Sequence, residues 1–511
     1  MALTYWLEQS LPWPGARGVK CLDVTFDTWH QVALDIAASG GRLLALWVDW
    51  EATGRVYAAF LCDGALLTLC LRLQEGETSY PSLAELFPSA ARMQRAAADL
   101  TGIRARDPDS RPWLRHAAWP EDYFPLAPSA QDYRPSAPPA ADQYAFTRVS
   151  GDGVHEIAVG PVHAGTIEPG HFRFSIVGEK VLKLEERLGY VHKGIERRFS
   201  QMQLLEGHRL AARVSGDSAV AYSWAYCQAL EGMSRVRLPV RALWLRVIAL
   251  ESERIANHLG DLGALGNDAG FAFGLAQFSR LKEQWLRALE PAFGQRYLFD
   301  FIVPGGVAID GRGRELSELA RCANSIAREA ATLRTIYDEH SGVRDRFTNA
   351  GTVAPELASR LGLLGLAGRA SGQSHDVRVD LPSEPYTDLR VNKCVRSEGD
   401  VAARVSVRFD ELSESLQLVS RMIDLLPAGA SRVEIAAPAE ETYGIGLVEG
   451  WRGPVMVALS AGPEGRIRRC HPHDPSWQNW PALEHAIIGN IVPDFPLINK
   501  SFNLSYSGHD L

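Results

Sequence analysis

Gly160-Pro161-Val162-His163-Ala164-Gly165-Thr166-Ile167-Glu168-Pro169-Gly170-His171-Phe172-Arg173-Phe174 is a glycine- and proline-rich loop that runs directly into an apolar segment. Two short β runs, at 156–159 and 172–177, flank it, because apolar residues there recur within short runs bounded by turn residues. Beyond the loop the apolar spacing changes to that of helices, at roughly 180–260, 275–290, 314–340 and 400–425. Within 240–260, Trp244, Ile248, Ile255 and Leu259 share one face, and Glu251 falls in the same stripe. Arg254 and His258 follow Glu251 at i+3 and i+7. That pattern reads either as a buried ion pair between packed helices or as a carboxylate and histidine that carry protons.

Upstream, 42–50, 55–62 and 66–73 are short apolar runs separated by turn residues and predict three strands. The stretch 80–100 reads as a helix with Ser82 as its cap. A segment rich in proline and alanine, 125–150, has little apolar periodicity and predicts an extended linker. The expected organisation is therefore α+β. A small N-terminal α/β domain (1–124) is followed, after the linker (125–150), by a large, mainly α-helical domain with a small β portion (151–511).

The 511 residues carry a formal charge of −8, which gives no global basic field and argues against nucleic acid as a partner. No apolar run reaches the length of a membrane span, and the first residues lack the basic and apolar regions of an export signal. Seven cysteines, at 21, 62, 70, 227, 322, 394 and 470, form no C-x-x-C pair. They support neither a disulfide framework nor an iron–sulfur cluster held by this chain alone.

Six segments in order carry a wider resemblance. They are the loop 160–174, Leu188-Gly189-Tyr190-Val191-His192-Lys193-Gly194-Ile195-Glu196, Trp244-Leu245-Arg246-Val247, Glu253-Arg254-Ile255-Ala256-Asn257-His258, Val303-Pro304-Gly305-Gly306-Val307, and Gly368-Arg369-Ala370-Ser371-Gly372 with Asp376-Val377-Arg378. Together they resemble the large subunits of energy-converting, membrane-bound nickel–iron hydrogenases of the formate-hydrogenlyase type, and the homologous 49-kDa subunit of respiratory complex I. Asp99-Leu100-Thr101-Gly102-Ile103, followed by Trp113-Leu114-Arg115, resembles the complex I 30-kDa subunit.

The resemblance assigns four metal-ligand cysteines to the patterns R-x-C-G-x-C and D-P-C-x-x-C. The matching segments are Arg213-Val214-Ser215-Gly216-Asp217-Ser218 and Asp474-Pro475-Ser476-Trp477-Gln478-Asn479, so the ligand positions hold Ser215, Ser218, Ser476 and Asn479. Nickel in such sites requires soft thiolates, and neither a hydroxyl nor an amide replaces one at neutral pH. No metal is therefore expected there. Ser215, Asp217, Ser218, Asp474, Ser476 and Asn479 are expected to converge into a polar pocket flanked by Arg213 and Arg369, able to hold water, a quinone headgroup or a proton relay. A hard cation on Asp217 and Asp474 would have a thin ligand set. Glu168 matches the hydrogenase glutamate implicated in proton passage, and His163 and His171 match the histidines of its loop. All three could equally serve as capping and hydrogen-bonding groups. The quinone-site histidine of complex I falls at Pro169 here and its tyrosine near Ala211 or Ala212, leaving Tyr222 a few turns on.

In the hydrogenases the precursor is trimmed soon after the last cysteine pair, once nickel is in place. Here the segment from Asn479 to Leu511 is expected to be retained and to pack on a neighbouring subunit. The resemblance implies a peripheral subunit on the cytoplasmic face of a membrane complex. Its partners would be a small iron–sulfur subunit similar to the cluster-bearing subunit of complex I, a ferredoxin-like subunit and a membrane arm of antiporter-like subunits. Electrons from the neighbouring iron–sulfur cluster would pass to a quinone-like acceptor or be coupled to ion translocation. A redox-inactive coupling or scaffold role is the alternative.

Overall fold

The computed structural model describes residues 2–51, 53–128, 130, 144–163, 167–311 and 313–511. The three N-terminal strands form where the sequence places them, as Arg42–Trp50, Gly54–Cys62 and Ala65–Arg72. With Leu11–Pro12 and Val19–Val24 they make a five-stranded sheet, in which only the pairing of Val19–Val24 with Ala65–Arg72 is parallel. The helix expected over 80–100 is shorter. Ser79–Pro81 is a strand, and the helix is Ala90–Thr101, closed by Gly102 in the left-handed conformation. Pro81 and Pro88 cannot donate to a helix ladder, which prevents an earlier start. Ser82 caps nothing. Its hydroxyl donates to Asp107 Oδ2 at 2.6 Å and accepts from Ala84 N at 3.1 Å. Asp99 explains the spacing of its own motif, because Oδ2 accepts from the amides of Trp113, Leu114 and Arg115 at 2.6, 2.8 and 3.2 Å. The centre of the expected 125–150 linker lies outside the described residues.

The loop 160–171 joins strands Val154–Val159 and His171–Val177. A third strand, Lys180–Arg187, completes an antiparallel sheet where a helix was expected. The turn at Gly178 folds 180–187 back on 171–177, and ladder pairing overrides the helical reading. Helices Val240–Asp268, Ala272–Phe293, Gly313–Glu339 and Val401–Asp424 pack side by side as a bundle. On the first of these Ile248, Glu251, Ile255 and Leu259 are fully buried, and Arg254 Nε stands 3.4 Å from Glu251. A further antiparallel sheet, Tyr443–Glu449, Pro454–Ala461 and Ile467–His473, packs on helix Ala219–Met233. Among the described residues no helix is long and apolar enough to cross a membrane.

One apolar core runs from the N-terminal sheet into the helical part. The junction is polar as well. Arg92 bridges Glu186 at 2.9 Å and Glu484 at 2.8 Å, and the Trp47 ring stacks on His471 with centroids 5.4 Å apart. Gln478 Nε2 donates to the carbonyl of Leu43 on the first sheet at 3.1 Å. The N-terminal sheet thus holds the segment that carries Asp474–Asn479.

Candidate functional site

Both motif segments lie at the starts of helices. Residues 213–218 precede helix Ala219–Met233, with Ser218 at its cap, and Asp474 and Pro475 precede helix Ser476–Ala486. A third segment joins them. Ser505 Oγ lies 2.9 Å from Ser215 Oγ, and the Ser505 amide donates to Ser476 Oγ at 2.9 Å. Ser215 Oγ donates to Asp217 Oδ1 at 2.7 Å. Asp474 Oδ1 accepts from the Ser476 amide at 2.9 Å, and its Oδ2 accepts from the Tyr222 hydroxyl at 2.8 Å. Ser215, Ser218, Ser476, Asp474 and Asn479 are all buried.

Asp217 is held by Arg452, whose Nη1 and Nη2 donate to Oδ1 and Oδ2 at 2.8 and 2.5 Å. Burial opposes the charge of Asp217, but the Arg452 guanidinium outweighs it and keeps the carboxyl below its ordinary range. The Asp217 carbonyl accepts from Trp451 Nε1 and Asn257 Nδ2, each at 2.8 Å. The donor set therefore consists of hydroxyls and carboxylates already bonded to one another or to arginine, tyrosine and backbone groups. It does not fit nickel. Among the described residues no group of three or more histidine, cysteine, aspartate or glutamate side chains is arranged to hold a metal ion.

The structure brings together Ser215, Asp217, Ser218, Asp474 and Ser476, and sends the other expected residues elsewhere. Asn479 bonds the backbone of Leu364, accepting from its amide at 3.1 Å and donating to its carbonyl at 3.2 Å. Arg213 does not flank the pocket. It faces solvent, paired with Asp300 at 2.7 Å, with the side chains 48% and 40% exposed. Arg369 is fully buried in the bundle, bonded to Glu411 and Glu449 at 2.8 Å each. Glu168 is exposed and accepts from the Ser507 amide at 3.0 Å. His163 is half-buried against Phe172, and burial lowers its pKa. His171 is buried, with Nδ1 3.3 Å from the Gly160 carbonyl. Residues 164–166 of this loop lie outside the described residues.

The segment 505–511, expected on a neighbouring subunit, is buried within this chain. Its apolar and small residues fill the space beside the motif segments. A Cβ added at Gly508 would meet Asp474 Oδ2 at 2.6 Å, and the His509 ring stacks on Trp477 with centroids 3.9 Å apart.

Sequence reading missed Arg452, Ser505 and the role of Glu253. Nothing local marks Arg452 or Ser505, whereas Glu253 belongs to a segment already singled out. Glu253 and Asn257 line a cleft, which Gly216 and Asp217 also border. Leu286, Leu289 and Leu298 form its apolar wall. Replacing Tyr222 by Phe leaves Asp474 Oδ2 without this donor in a buried site, and is expected to cost about 1–3 kcal/mol. A thermal unfolding midpoint equal to that of the native protein would show that the bond contributes nothing.

Two family models match this chain. That of the respiratory-chain NADH dehydrogenase 30-kDa subunit covers residues 23–137, and that of the 49-kDa subunit covers residues 268–443. Formate hydrogenlyase subunit 5 of Escherichia coli (strain K12) is 30% identical over 449 residues, which is 87% of this chain and 79% of the relative. Hydrogenase-4 component G of the same organism is 30% identical over 462 residues, 89% of this chain and 80% of the relative. Among solved structures, a chain of the archaeal membrane-bound sulfane sulfur reductase, a respiratory membrane complex, matches with a TM-score of 0.66 at 23% identity. That match covers 70% of this chain and 99% of the other, and it shows a shared fold.

Proposed function

Because the chain belongs to the family of formate hydrogenlyase subunit 5 and the fused 30- and 49-kDa subunits of respiratory NADH dehydrogenase, we propose that it is a peripheral subunit of a membrane-bound, complex I-like oxidoreductase. It receives electrons from a neighbouring iron–sulfur subunit and passes them to a quinone-like acceptor, with no nickel chemistry of its own. The observation that carries this reading is the pair of adjacent features at residues 215–218. The ligand positions hold hydroxyls and an amide, all engaged, and directly beside them lies a cleft with an apolar wall and a few convergent polar groups. Ser505 occupies the space between the motif segments, so the acceptor is assigned to the cleft rather than to the vacated metal position.

The partners in this reading are a small iron–sulfur subunit, a ferredoxin-like subunit and an antiporter-like membrane arm, with the chain on the cytoplasmic face. A second reading, coupling without redox chemistry, draws support from the buried ion cluster. There Glu411 bonds Arg254, Arg369 and His258, while Glu251 bonds Arg378.

The deciding experiment uses the native complex purified from membranes, with reduced viologen as donor and a soluble quinone as acceptor. Quinol is expected to form without hydrogen evolution, and its formation is expected to fall in Asp217→Asn, which weakens the wall between Arg452 and the cleft. A complex whose clusters are reduced but which forms no quinol overturns the acceptor reading and leaves coupling.

A further inference from the structure

Glu253 stands between the cleft and the first turn of the helix Ala219–Met233. Its Oε2 accepts from the Val220 amide at 2.7 Å, and its Oε1 from the Ala221 amide at the longer distance of 3.3 Å. The residue is only 7% exposed, yet it lines the cleft. Two effects compete there. The helix amides favour the carboxylate, whereas burial disfavours it. Burial wins, and with Asp217 nearby the carboxyl is pushed up to about 8.

The surrounding charges do not reverse this balance. Arg254 is spent on Glu411 at 3.1 Å and on the Glu449 carbonyl at 2.8 Å. Arg296 is paired with Glu283, and Asp217 is held by Arg452. Lys282 lines the same cleft from the helix Ala272–Phe293. A carboxyl that is buried, borders an apolar-walled cleft and is supported in its anionic form by two amides can both release a proton and wait as the anion.

We propose that Glu253 delivers a proton to the acceptor bound in this cleft. The proposal rests on the acceptor reading above. Reduction of a quinone to quinol takes two protons and two electrons, the electrons arriving one at a time from the iron–sulfur cluster of the neighbouring subunit, which the reduced donor re-reduces between them. The Oε1–H bond of Glu253 breaks and a new O–H bond forms on one quinone carbonyl oxygen. The carboxylate left behind is held by the Val220 and Ala221 amides until water entering the cleft reprotonates it. The second proton follows the same route.

The test uses the native complex and a Glu253→Gln variant, which keeps an acceptor for the amides but carries no titratable proton. The native rate of quinol formation is expected to fall as pH rises through about 8. The variant is expected to lose roughly a hundredfold in kcat, with the KM for quinone little changed and that pH dependence gone. Thermal unfolding of the full chain gives a second readout. A carboxyl raised above its unfolded value contributes stability below about pH 4.5 and loses it as pH rises toward about 8. The melting temperature of the variant relative to native should therefore become more favourable from pH 5 to pH 8. A native rate flat across pH 8, or a variant with the native rate and profile, overturns this proposal and leaves the acceptor reading intact. A native complex that forms no quinol overturns both.

Discussion

Arg369→Met is expected to be among the most destabilising single substitutions in the chain, at about 3–5 kcal/mol. The guanidinium is fully buried. Its Nε bonds Glu411 at 2.8 Å, and its Nη1 bonds both Glu449 and the His375 carbonyl, at 2.8 and 2.9 Å. Burial opposes the charge on Glu411, but Arg369 foremost, with His258 and Arg254, holds that carboxyl well below its ordinary range. Without Arg369, the hydrogen bond left to the Glu449 carboxylate among the described residues is that from the Val377 amide at 3.1 Å. Two buried carboxylates would then be under-compensated, and their pKa values would rise. The deficit of the variant is therefore largest at neutral pH and narrows on acidification, as the stranded carboxyls take up protons that native Glu411 refuses. Arg213→Met is the control. That pair is about half exposed, and such surface pairs contribute about 0–1 kcal/mol. Melting curves of both variants at two pH values decide the matter. Equal, small losses would place Arg369 outside the structural core of the bundle.

Deleting residues 504–511 is expected to abolish stable folding. The segment supplies the Ser505 contacts to Ser215 and Ser476, and its Ser507 amide bonds Glu168 at 3.0 Å. Asp510 Oδ2 accepts from the Val191 amide at 2.9 Å, and the Leu511 carbonyl accepts from the Lys193 amide at 2.8 Å. The Trp480 indole donates to the Ser505 carbonyl at 3.2 Å. Removing these partners strands several buried polar groups at about 1–3 kcal/mol each, and opens a void among Trp477, Trp480 and Gly170. Gly508→Val probes the same packing more gently. Its side chain would press on Asp474 Oδ2 and Ser505 Oγ, for a loss of about 1–3 kcal/mol. Soluble expression and melting temperature measure both. A truncated chain with native stability would show that the segment merely lies on the surface of the site.

The sequence was most legible where structure is local or chemistry is bound to residue type. Strands 42–50, 54–62 and 65–72 follow from short runs of apolar residues, and helices 272–293, 313–339 and 401–424 from their period. It misled where pairing partners are remote. The strand Lys180–Arg187 exists because 171–177 lies beside it, and the helix at Ala90 starts late because Pro81 and Pro88 stand in the way.

For the site, the sequence alone determined that no thiolate is available at residues 215, 218, 476 and 479. That follows from residue identity and needs no coordinates, because donor softness belongs to the side chain. Only the tertiary structure decided which cation meets Asp217. Arg213, four positions away, turns to Asp300, while Arg452, distant in sequence, reaches across. Tertiary structure likewise brought Ser505 between the two motif segments and placed Glu253 at the edge of the cleft. Charge pairing in a folded interior depends on side-chain direction and on the surroundings left after packing, and both are set by contacts between segments far apart in the chain.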